Sequence, residues 1–159
     1  MPVATRRSIF VLPIAAVLLA GTVMAATPAP PKKLTLAQLP AVVQKTVQAE
    51  SKGFVIHGIF EEKGEDGKPV YEVEMKAKGL IHDIVVGEDG TVQVSEQQVL
   101  LESLPAPVRT AMVKAAAGRK IGIIESVTLA GKLAYYEAQV GTAKVPAEIK
   151  IAPDGKIVP

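Results

Sequence analysis

Tyr71-Glu72-Val73-Glu74-Met75-Lys76 alternates apolar and charged residues without a break, and Tyr136-Glu137-Ala138-Gln139-Val140 echoes it 65 positions later. Successive side chains of a strand point to opposite faces, so each segment reads as a strand with one dry and one wet side. The correspondence extends outward from both. Laying residues 36–94 on residues 101–159 without a gap matches Leu39-Pro40-Ala41 with Leu104-Pro105-Ala106, Gly53 with Gly118, Ile59 with Ile124, Ile84 with Ile149, and Asp89-Gly90 with Asp154-Gly155. Thirteen of the 59 aligned positions are identical, where unrelated segments would share roughly three or four from average residue usage. The chain therefore reads as two copies of one unit.

Each copy opens on Leu-Pro, and proline suits the first helical turn because the donor it lacks has no partner there. From Pro40, Val43 and Val47 line one side of a helix that Gly53 ends, and Pro105 to Gly118 repeats the design. Residues 55–62, 80–86, 121–129 and 145–151 read as further strands, with turns at Gly64 to Gly67 and at both Asp-Gly pairs. The expected fold is α+β: two tandem modules, residues 36–95 and 101–159, each one helix followed by an antiparallel meander of about four strands. Residues 95–100 (SEQQVL) read as a short polar connection between them.

The first 25 residues differ in character. Arg6 and Arg7 precede an uncharged apolar run over residues 9–20, and small residues at Val23 and Ala25 follow. This is the layout of a secretory signal cleaved between Ala25 and Ala26. The run is shorter than a spanning helix needs, and Pro13 interrupts it, so no stable membrane span is expected after processing. Residues 26–35, rich in proline, read as an extended tether. The signal carries two of the 18 basic residues and none of the 16 acidic ones, so the processed chain is close to neutral. The sequence pI of about 8.8 thus gives no basic surface for nucleic acid. Without cysteine there is no disulfide framework, thiolate metal site, cysteine nucleophile or lipid anchor.

The Leu-Pro helix start, the helix-ending glycine, the Tyr-Glu strand and the closing Asp-Gly hairpin resemble those of PepSY-like modules grouped with β-lactamase-inhibitor-like (BLIP-like) proteins. The resemblance covers both copies. It implies an envelope or secreted module that acts by binding, with a helix laid on an antiparallel sheet. The secreted β-lactamase inhibitors carry disulfides and this chain has no cysteine, so inhibition of a β-lactamase is not among the expectations.

Candidate sites are few. Nucleophilic catalysis needs a base, and the chain offers only His57 and His82, whose counterparts Gly122 and Ala147 show that the repeated pattern requires neither. No G-x-S-x-G motif is present. His82 shares parity with Leu80, Ile84 and Val86, so it reads as a hydrogen-bonded histidine on the apolar face, with a pH-sensitive group as the functional alternative. His57, beside Gly58, interrupts the alternation between Ile56 and Ile59, the mark of a β-bulge. His57, His82 and Asp83 are the weak candidate metal ligands, since imidazole and carboxylate suit zinc or copper, although no ligand-spacing motif joins them. The acidic stretch Glu61 to Gly67 lacks calcium-loop spacing and reads as a solvated hairpin tip. Glu72 and Glu74 read as wet-face residues, and Tyr71 and Tyr136 as sheet anchors.

The expected protein is periplasmic or secreted and not an enzyme. It has no cofactor and binds an envelope protein or peptide, possible roles being inhibition or regulation. The alternative is an envelope protein that binds a small ligand or metal.

Overall fold

The computed structural model describes residues 31–64, 66–142 and 145–159, excluding the side chains of Val145 and Pro146. The expected signal segment, its Ala25-Ala26 cleavage site, residues 26–30 of the tether and Glu65 lie outside the described residues.

Nine strands form one antiparallel sheet in sequence order, each hydrogen-bonded to the next. They are β1 (Lys32–Lys33), β2 (Val55–Lys63), β3 (Pro69–Ala77), β4 (Leu80–Gly87), β5 (Val92–Val99), β6 (Ile121–Leu129), β7 (Lys132–Thr142), β8 (Val145–Ile151) and β9 (Ile157–Val158). Two helices interrupt the order, α1 (Ala41–Glu50) before β2 and α2 (Ala106–Ala116) before β6. Among the described residues no helix is long and apolar enough to cross a membrane.

This architecture overturns the α+β expectation of two tandem modules, each a helix with its own meander. The protein is mostly β and its sheet is unbroken. Residues 95–100, read as a connection, largely belong to β5, which pairs Glu96 with Asp83 of β4 on one side and with Val127 of β6 on the other. A polar segment passes for a linker by composition. Here Ser95, Glu96, Gln97 and Gln98 are polar because β5 runs between the two helix-covered cores and has little apolar surface to bury.

Both helices lie on the same side of the sheet. Val43 and Val47 of α1 pack with Val73, Met75, Ile84 and Val86, while Val108 and Met112 of α2 pack with Ile124, Ala138, Val140 and Ile151. Strand β5 joins the two cores, with Val92 packed against the first and Val99 against the second. The Asp-Gly turns hold the helix starts down. Gly90, at φ +83°, sits where a Cβ would come within 2.7 Å of Val42 Cγ2, and Thr46 Oγ1 donates to the Gly90 carbonyl at 2.7 Å. Gly155, at φ +87°, sits where a Cβ would come within 3.1 Å of Pro107. The recurrence of Asp-Gly therefore reflects helix docking as well as turn geometry.

Candidate functional site

Pairing register decides what the sheet displays on its second face, which is helix-free among the described residues. Glu74 lies opposite Asp83, and Asp83 opposite Glu96, which places three acids in one row across β3, β4 and β5. One row along, Glu125 lies opposite Glu137, and Glu137 opposite Lys150. Like charges directly opposite one another on adjacent strands destabilise a sheet. The carboxylates of Asp83, Glu96 and Glu125 converge so that one ligand atom from each lies within 4.8 Å of the others.

These acids are not a solvated fringe. Asp83, Glu125 and Glu137 are 7%, 4% and 5% exposed, although no helix of the described residues covers this face. Val127 and Tyr135 on the same face are buried as well. Beside the acidic row runs a more apolar one, with Phe60, Val85, Val94 and Leu129 on β2, β4, β5 and β6.

Lys150 shows how a cation sits here. Its Nζ is 3.4 Å from Glu137 Oε2 and 5.2 Å from the centre of the Tyr135 ring. Burial works to lower the Lys150 pKa, but the charges of Glu137, Tyr135 and Glu148 outweigh it and hold the ammonium above its ordinary value. Glu137 responds in the opposite sense to an ordinary ion-pair partner. Burial, followed by the Glu148 charge, pushes its carboxyl up despite Lys150, and Glu125 adds to the rise.

A raised carboxyl favours the folded state when protonated, so this contribution is full below the unfolded value and is lost as pH rises through the folded one. We therefore expect Glu137→Gln, which mimics the protonated form, to melt above wild type at pH 8 and to lose that advantage toward pH 4. Melting curves by circular dichroism check this, and a variant less stable than wild type by the same margin at both pH values would contradict it.

The candidate ligands named from sequence do not assemble. His82 and Asp83 are adjacent on β4 and so point to opposite faces, which removes the proposed pairing on one ion. His57 is the extra residue in the register shift between Ile56 and Gly58 and is exposed. His82 lies on the helix side, where its Nε2 is 3.2 Å from Ser95 Oγ and its ring meets Phe54 edge-on at 4.8 Å. Burial lowers its pKa, with Glu50 opposing. Its Nδ1 has no hydrogen-bond partner among the described residues, so the Ser95–His82 contact lacks the third group that orients a catalytic base.

Sequence reading missed Glu96, Glu125 and Glu137. Glu96 fell in the supposed connection, and strand parity alone does not reveal which acids face one another. Chemically, three converging carboxylates can hold a hard cation, a shared proton or an ammonium or guanidinium group.

The comparisons with known proteins bear on the fold. No family model matches the sequence, and no curated protein matches it. Solved structures do. A BLIP-like protein from Bacteroides fragilis superposes with a TM-score of 0.57 at 11% identity, covering 76% of this chain and 83% of that one. The fold is BLIP-like. A DUF2874 family protein from Bacteroides ovatus gives a TM-score of 0.59 at 17% identity, over 77% of this chain and 86% of that one. A Bacteroides eggerthii protein assigned to the periplasm gives 0.62 at 16% identity, over 76% and 86%. At these identities the BLIP-like likeness speaks for the fold alone.

Proposed function

We propose that this protein is an exported, non-enzymatic binding module of the cell envelope that holds a protein partner on the helix-free face of its sheet. The carrying observation is the row Glu74, Asp83 and Glu96 with Glu125 beside it: acids placed opposite one another on a sheet face that no helix of the described residues covers. A row of acids on such a face gives it a charge that a partner can recognise.

Several observations support the reading. BLIP-like architecture and the periplasmic assignment of a structural neighbour fit a binding role in the envelope. Export rests on the Arg6-Arg7 and apolar pattern before Ala25-Ala26. The PepSY-like part of the resemblance rests on the Leu-Pro, Tyr-Glu and Asp-Gly motifs. Against catalysis stands the Ser95–His82 geometry, which has no orienting group for the base among the described residues.

A photo-crosslinking residue at Val94, on the helix-free face, tests this against one at Val113, which is exposed on α2. In envelope extract of the host, Val94 is expected to crosslink one protein reproducibly and Val113 none. Crosslinking from Val113 alone, or from neither, overturns the proposal.

A further inference from the structure

The two halves of the chain serve as controls for each other. Residues 36–94 have counterparts 65 positions on, so a feature that the first half has and the second lacks is not required by the repeated pattern. Three such residues meet at the corner where α1 gives way to β2. Glu50 ends α1, Phe54 precedes β2 and His82 stands beside them on β4. The second half has Ala115, Arg119 and Ala147 at these places.

His82 is held on two sides and unsatisfied on a third. Its Nε2 is 3.2 Å from Ser95 Oγ and its ring meets Phe54 edge-on at 4.8 Å. Its Nδ1 is buried with no hydrogen-bond partner among the described residues. With its proton on Nε2, the neutral ring donates to Ser95 and leaves only a lone pair at Nδ1. A second proton turns Nδ1 into a buried donor with no acceptor, which is costly, the more so because the ring then carries charge.

The surroundings do little to offset that cost. Directly opposite His82, β3 places Met75 and β5 places Gln97, and Asp83, next along β4, points to the other face. The turn before β2 contributes the Phe54 ring and the exposed Lys52. Burial holds the ring's pKa below its ordinary value, and Glu50 of α1 opposes this. Glu50 is exposed, so water and salt screen its attraction.

We propose that His82 is an acid-released latch on the first half of the sheet: when the ring takes a second proton it leaves its place between Ser95 and Phe54, and the end of α1 and the start of β2 loosen while α2 stays docked. The latch is independent of the protein-binding reading above. Phe54 packs against the first core beside Leu36 and Ile56, so the loosened corner uncovers apolar surface that the closed one hides. The opened chain binds the proton more readily than the packed ring does. Closure is therefore fully favoured above the ordinary imidazole value of about 6.5 and is lost as pH falls through the lower value of the packed ring. The raised Glu137 carboxyl acts in the opposite sense, favouring the fold in acid.

The test is amide hydrogen exchange on the purified exported protein, corrected for the intrinsic pH dependence of exchange. It is read at pH values on either side of the His82 ring titration, which NMR follows. Residues 47–57 are expected to lose protection at least about threefold on the acid side, up to the roughly tenfold per pH unit that one proton can give. Residues 112–122 should keep theirs. His82→Gln, which keeps a donor for Ser95 and cannot titrate, should abolish the difference. His82→Leu, which brings neither charge nor a buried polar atom, should abolish it as well.

A folded His82→Gln or His82→Leu variant that loosens in acid as wild type does overturns the proposal. So does wild-type exchange that is unchanged across the ring titration. A ring that titrates at or above the ordinary imidazole value, or stays neutral to about pH 4, overturns it too. Equal loosening of residues 112–122 would make the response global and refute a latch on the first half.

Discussion

Gln97→Pro is expected to unfold the whole molecule far below the wild-type melting temperature, in one transition. Gln97 sits between His82 of β4 and Ser126 of β6. Proline there removes a ladder donor and leaves an acceptor on the neighbouring strand unpaired, at about 1–3 kcal/mol, and its ring disturbs the strand further. Against a total stability of roughly 5–15 kcal/mol for a domain, that is a large fraction. In two separate modules the same substitution would fall in a solvent-exposed connection and cost little. Thermal unfolding combined with amide exchange in β2 and β7 measures the difference, and a proline variant with near-wild-type melting would refute the continuous sheet.

The second large effect concerns the cores. Met112 is fully buried under α2, packed with the second core. Met112→Ala removes its side chain from a site that relaxes only in part, at about 2–5 kcal/mol, which lowers the melting temperature by roughly 5–20 °C for a domain of this size. Because β5 carries Val92 into one core and Val99 into the other, amides in α1 should lose protection together with those in α2. Two separated transitions, with the α1 half unchanged, would mean that the halves fold independently despite their shared strand.

Much of the local structure was legible. Alternation at Tyr71 to Lys76 marks β3, residues 121–129 and 145–151 match β6 and β8, and His57-Gly58 carries the anticipated register shift. Tyr71 is buried in the first core and Tyr136 packs against the second, as sheet anchors do. The helices begin after Pro40 and Pro105, and Gly53 and Gly118 adopt positive φ beyond their ends. These features depend on residues within a few positions of each other, where propensity, periodicity and steric limits act directly.

The candidate site was not legible, for a physical reason. Glu96 and Glu125 are separated by 29 positions and Asp83 and Glu96 by 13, and only pairing register places them together. Shifting one strand by a single residue would send its acids to the other face. The sequence by itself determined strands β2 to β4 and β6 to β8, the helix starts and ends, the Asp-Gly turns and the parity that puts Glu72 and Glu74 on the face opposite Tyr71 and Val73. Only the tertiary structure decided that residues 92–99 form a central strand rather than a connection, that two cores share one sheet, and that Asp83, Glu96 and Glu125 converge. Strand pairing is a long-range choice made by the burial of whole faces, and no local pattern encodes which strand will lie beside which.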